Sequence, residues 1–108
     1  MKLSCKQQLF TFMTGQLIKF AYDNGFGLTY DDAKRDVRIK YPYKVHPNSL
    51  HYLRLAVDYN VWRGNKLLNK SEDFMELGEF WESIGGAWGG RFASGDGNHF
   101  SLEHNGMK

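Results

Sequence analysis

Apolar and polar positions alternate in blocks along the chain, and the interval within each block predicts an element. Phe10, Met13, Leu17, Phe20 and Ala21 recur at helical spacing, Ser4 and Gln7 have the form of a capping box ahead of them, and Asn24-Gly25 supplies a stop. A first helix is therefore expected over about residues 5–24. Phe26 to Tyr30 is short, aromatic and β-branched enough for a strand, whereas residues 31–48 are polar, carry both prolines and read as irregular. From Leu55 to Trp62 apolar side chains alternate imperfectly with Ala56, Asp58 and Asn60, a strand pattern, and Arg63-Gly64-Asn65 has the form of a hairpin turn into Lys66-Leu67-Leu68. Ser71 is placed to cap a second helix. Glu72 and Asp73 in its first turn suit the helix dipole, Phe74, Leu77, Trp81 and Ile84 make one stripe, and Gly85-Gly86 ends it. A glycine-punctuated loop then leads to a short strand beginning near Asn98. These elements describe a single α+β domain over residues 1–108, an antiparallel sheet with helices packed on it.

Composition narrows the chemistry. A chain of 108 residues has room for one core and hence one function in one fold. The net charge of +2 is spread rather than gathered, so it favours an anionic partner only weakly. Cys5 is the one cysteine, which excludes an intramolecular disulfide and a Cys-rich zinc site, and leaves histidine and carboxylate as the metal ligands on offer. Lys6, Gln7, Gln8 and Gln16 interrupt the apolar residues near the N-terminus, so neither a signal peptide nor membrane insertion is expected.

Two clusters are candidates for chemistry. His51 and Asp58 lie seven apart, an odd spacing that puts side chains on opposite faces of a straight strand. They converge only if the chain bends between them, around Tyr52 to Arg54. Beyond the bend Ala56, Asp58 and Asn60 share a face, and Ala56 is small enough to leave room for an ion. The alternative is a half-buried strand whose Asp58 caps a turn or pairs with a lysine. The second cluster is Asp96-Gly97-Asn98-His99-Phe100, where Gly95 and Gly97 free the backbone to aim a side chain, or merely form a turn before an edge strand. Together, two histidines and one aspartate suit an open zinc site with a position left for water and a further carboxylate as base.

Ser49-Leu50-His51, Ala56-Val57-Asp58 and Asp96 to His99 with Phe100 resemble the Ser-x-His, Ala-x-Asp and Asp/Glu-x-x-His motifs of the zinc D-alanyl-D-alanine carboxypeptidase and L-alanyl-D-glutamate endopeptidase family. The likeness is nearest to its short phage endolysins. It extends to Leu77-Gly78-Glu79-Phe80-Trp81 and Trp88-Gly89-Gly90-Arg91-Phe92, covering roughly residues 9–104. The resemblance implies a hedgehog/DD-peptidase-like fold and Zn2+ as cofactor, with His51, Asp58 and His99 as ligands. It also implies Asp96 as the group that activates water, Arg35 as the group that steadies the polarised carbonyl, and Ser49 as support for the site and contact for substrate. Arg54 stands where many members have glycine, so the bend must be made without one.

The implied substrate is a peptidoglycan stem peptide, cut at the L-alanyl-D-glutamate bond. Arg35, Arg54 and Arg91 are candidates to face its carboxylates, whereas Phe80 and Trp81 are assigned to the core. A monomer without nucleic-acid partners is expected, accumulating in the host cytoplasm and acting on the wall after membrane breach. Other readings are a D-alanyl-D-alanine carboxypeptidase and a catalytically inactive zinc domain, which muropeptide digestion separates. A nucleic-acid module, suggested by Tyr41, Tyr43 and Tyr52 beside basic residues, would bind DNA in a salt-dependent way that ignores chelator.

Overall fold

Phe10, Met13, Leu17 and Ala21 form the buried stripe of a helix, α1 (Leu3–Asp23), in the computed structural model, which describes residues 1–34, 38, 40 and 49–108. The helix begins earlier than expected, and Ser4 and Gln7 do not make a capping box. Lys2 holds the cap position with no side-chain cap, and the Gln7 carboxamide instead donates to the Leu53 carbonyl at 2.8 Å. That bond ties α1 to the segment carrying His51. The helix stops where expected. Gly25 adopts φ 83°, which lets the Phe26 N–H reach the Ala21 carbonyl at 2.9 Å and its own N–H reach that of Tyr22 at 3.3 Å.

The sheet is antiparallel, with β1 (Gly27–Tyr30), β2 (Ala56–Arg63), β3 (Lys66–Leu68), β4 (Ala87–Trp88) and β5 (His99–Ser101). β1 lies along one edge of β2, from Gly27 opposite Trp62 to Tyr30 opposite Tyr59. The other edge of β2 is shared: β5 pairs with Ala56–Asp58 and β3 with Val61–Arg63. β4 flanks β5 on its far side.

A 3-10 turn (Ser71–Phe74) runs into α2 (Met75–Ser83). Ser71 is not its cap. Its hydroxyl donates to the Gly95 carbonyl at 3.0 Å, and the Asp73 carboxylate takes the cap role by accepting the Lys70 N–H at 3.2 Å. Gly85, at φ 104°, ends α2 as Gly25 ends α1, with the Gly86 N–H bonded to the Trp81 carbonyl at 2.9 Å. Trp81 is the centre of the core. It meets Phe10 and Phe100 edge-on at 5.7 and 6.0 Å, and its indole N–H is shared between the Ser101 and Ala87 carbonyls at 2.9 and 3.2 Å. Phe80 stacks on Phe20 at 4.2 Å. Both aromatics thus pack internally, joining two helices to a five-stranded sheet in the expected α+β architecture. Among the described residues, no helix is long and apolar enough to cross a membrane.

Candidate metal centre

His51 sits in a 3-10 turn (Leu50–Leu53) whose start is fixed by Ser49: its hydroxyl accepts the His51 N–H at 3.3 Å. Buried Leu50 and Leu55 anchor the two sides of the turn, joined by a bond from the Leu55 N–H to the Leu50 carbonyl at 3.0 Å. Between them Arg54 takes φ 56° and ψ 37°, the left-handed region. The bend required between His51 and Asp58 is therefore made by a 3-10 turn and a left-handed arginine, a conformation that costs a residue with a Cβ roughly 1–2 kcal/mol. Glycine would hold it without that strain.

Asp58 is held on both edges of β2. On one side its N–H donates to the Asp32 carbonyl at 2.6 Å and its carbonyl accepts the Asp31 N–H at 3.0 Å, so two residues oppose one, as in a β-bulge. On the other side it is paired with His99 of β5. Residues directly opposite share a face, and the pairing brings His99 Nδ1 to 3.1 Å from Asp58 Oδ1. His51 Nε2 lies 3.4 Å from the same oxygen. All three residues are buried, with 1% of His51, 8% of Asp58 and 6% of His99 exposed, and one donor atom from each can be chosen within 4.8 Å of the others. Among the described residues, Asp58 neither caps a turn nor faces a lysine; it faces two imidazoles.

Protonation follows from the partners. His51 Nδ1 lies 3.0 Å from the Ala33 carbonyl, which can only accept, so Nδ1 carries the hydrogen and neutral His51 presents a lone pair at Nε2. Burial pushes the Asp58 carboxyl up, but the two histidines, when they carry protons towards it, more than reverse this and bring it to about 2, against an ordinary 3.8. Among the described residues, Nε2 of both His51 and His99 is buried without a hydrogen-bond partner, an arrangement that is costly unless something else satisfies those nitrogens. Donor atoms of a tetrahedral zinc, at bonds of about 2.0–2.1 Å, sit roughly 3.3 Å apart, and the observed separations of 3.1 and 3.4 Å agree. Grouped about Asp58 Oδ1, His51 Nε2 and His99 Nδ1 fit zinc in donor type and spacing, and His51 Nε2 is also unfilled.

Asp96 lies three residues before His99 in a turn closed by the bond from the His99 N–H to the Asp96 carbonyl at 3.2 Å. It is exposed, in contrast to the three buried residues. Gly97 packs the turn against the start of the second helical segment, where an added Cβ would lie 2.8 Å from Ser71 Cα, and its carbonyl accepts the buried Trp88 indole N–H at 2.7 Å. Arg91 makes a two-point pair with Glu82, both bonds 3.0 Å, and lies over the Trp88 ring. Arg35, like Tyr41 and Tyr43, falls outside the described residues.

The model of the family described as D-alanyl-D-alanine carboxypeptidase matches residues 44–102, more than half of the chain. The chain belongs to the D-alanyl-D-alanine carboxypeptidase family. Membership supports a peptidoglycan-acting metallopeptidase. The matched span contains Ser49, His51, Asp58, Asp96 and His99, and Arg35 precedes it. No curated protein matches the sequence significantly. One element of the centre left no sequence signal. The Ala33 carbonyl that orients His51 comes from a backbone group every residue has, in a stretch without periodicity.

Proposed function

We propose that the protein is a zinc peptidase that hydrolyses the L-alanyl-D-glutamate bond of peptidoglycan stem peptides, in the manner of a phage endolysin. The observation that carries this reading is the buried His51-Asp58-His99 cluster with unfilled imidazole nitrogens in a chain of this family. When bound, zinc supplies a Lewis acid that acidifies water and polarises a carbonyl. His51, Asp58 and His99 hold it, and the Ala33 carbonyl and the β2–β5 pairing keep their rings and carboxylate oriented. Asp96, exposed beside the buried ligands, takes a proton from the attacking water and passes it to the leaving amine. Arg35 stabilises the charge developing on the carbonyl oxygen, a contribution of about 3 kcal/mol for one such donor. Ser49 holds the His51 turn and borders the substrate. The enzyme accumulates in the host cytoplasm as a monomer and reaches the wall once the membrane is breached.

The endopeptidase reading rests on the resemblance to lysis enzymes, which gain most by detaching a whole cross-link. The description of the matched family favours a second reading, removal of a terminal D-alanine. Incubation with a defined pentapeptide muropeptide, which carries both the L-alanyl-D-glutamate and the D-alanyl-D-alanine bond, followed by mass spectrometry of the products, separates them. A new free N-terminus on glutamate is expected. Release of D-alanine with the L-alanyl bond intact would make the protein a carboxypeptidase, and no cleavage with zinc bound would leave a non-catalytic domain.

A further inference from the structure

The shared edge of β2 leaves a gap. β5 ends its pairing at Asp58 and β3 begins at Val61, so Asn60 faces neither strand as a partner along that edge. A cleft of about 290 Å³ opens there, with Asn60 in its lining, Leu67 and Leu68 of β3 on one side, and Asp96 and Asn98 of the turn on the other. Asp96 is the proton carrier of the reading above, so the cleft begins at the chemistry.

Asn60 is out of place as a purely structural residue. Asparagine is disfavoured within strands, and this one is half-buried in the middle of β2. Its carboxamide has no hydrogen-bond partner among the described residues. It shares a face with Asp58, two residues away, which places it one strand repeat of about 6–7 Å from the metal ligand. A local rule broken without structural compensation is what a functional position produces.

We infer that this cleft receives the stem peptide on one side of the scissile bond and that the Asn60 carboxamide anchors the peptide backbone. The chemistry matches. A carboxamide offers one acceptor and two donor hydrogens, so it can satisfy the C=O and N–H of a peptide unit together. Leu67, which is 44% exposed, offers an apolar surface to a small aliphatic side chain such as that of alanine. The inference rests on the peptidase reading for the identity of the ligand.

Its test uses Asn60→Ala and Asn60→Thr, the second keeping a strand-favouring residue in case the first perturbs folding. With a defined muropeptide, KM should rise about 10-fold, the size of one or two hydrogen bonds to an uncharged group, while kcat changes less. Zinc content and Tm should be unchanged or Tm raised, because an unpaired amide is removed from a strand. Wild-type KM in both variants would overturn the inference, and so would activity falling in step with zinc content and Tm. A wild-type protein that cleaves no muropeptide would sink the peptidase reading instead. Asn60 is then judged by titrating the same muropeptide into isotope-labelled protein carrying Asp96→Asn. A shift of the Asn60 side-chain amide resonances supports the anchor, and unmoved resonances overturn it.

Discussion

Gly97→Ala puts a single methyl group between the proton carrier and a metal ligand, and the structure sets its cost. The new Cβ would sit 2.8 Å from Ser71 Cα and 2.5 Å from Phe74 Cδ2, where 3.4 Å is the beginning of ordinary contact. The Phe74 ring is buried and the Ser71 atom is backbone, so neither gives way cheaply. The turn itself must retreat by about 0.9 Å, the larger of the two deficits, against Phe74. Retreat is resisted on its other side by the 2.7 Å bond from the Trp88 indole to the Gly97 carbonyl. Overpacking of this kind costs about 1–3 kcal/mol, and for a domain of this size that lowers Tm by roughly 4–15 °C. The same retreat carries Asp96 and His99 with it. Since a misplacement of about 1 Å can cost a factor of 100, turnover at 25 °C should fall at least ~10-fold in protein that is still fully folded. Thermal denaturation followed by circular dichroism and muropeptide turnover measure the two effects separately. A variant with wild-type Tm and wild-type kcat would refute the claim that the packing of Gly97 sets the position of the Asp96–His99 turn.

Gly15→Ala is the opposite case: an added Cβ meets nothing within 4 Å in the middle of α1, so stability should rise by about 1 kcal/mol, read as a higher Tm. His99→Ala should remove zinc together with activity, and metal analysis showing full occupancy would exclude His99 as a ligand. Asp96→Asn should keep zinc and lose turnover by ~100-fold; a wild-type rate would move the base elsewhere, with Glu103 the next carboxylate to test. Burial, aided by the nearby Tyr30 phenol and opposed by a bond to Thr14, pushes the Tyr59 hydroxyl up to about 12 from 10.0. Between those values the unfolded chain loses the proton and the native protein keeps it, so stability should fall as pH rises through this window, and Tyr59→Phe should flatten that fall. An unchanged alkaline slope in Tm would count against it.

The legible parts of this fold were those decided by local chemistry. Both helix stops were readable because only glycine at Gly25 and Gly85 takes the left-handed step without strain. The need for a bend between His51 and Asp58 followed from strand alternation alone. Tertiary demand hid the rest. Ser4 and Gln7 have the spacing of a capping box, yet Gln7 is taken by the Leu53 carbonyl 46 residues away. Ser71 looks like a cap, yet its hydroxyl is claimed by Gly95. A short polar side chain satisfies whichever partner the fold brings nearest, and local spacing cannot rank a partner from another part of the chain. The manner of the bend was hidden for a related reason: nothing local marks Arg54 as left-handed, and its conformation is forced by Leu50 and Leu55 being buried on either side of it.

The contrast between Asp58 and Asp96 explains why one site needs both a sheet and a loop. A metal ligand must be fixed, because its donor atom has to meet two others within a few tenths of an ångström, and Asp58 is bonded through its backbone to β1's continuation on one edge and paired with β5 on the other. A proton carrier has a different requirement. It must reach water and a leaving group that arrive from solvent, so it belongs at an exposed edge with its backbone held in place. Asp96 meets that requirement: its N–H is bonded to the Gly89 carbonyl at 2.9 Å and its carbonyl to the His99 N–H, while the residue remains exposed. The glycines flanking it allow the turn to be that tight and to lie that close to Ser71. Rigid ligands on paired strands and an open base on a packed turn are thus two consequences of one sequence order, in which the Asp/Glu-x-x-His spacing puts the base just outside the strand that carries the ligand.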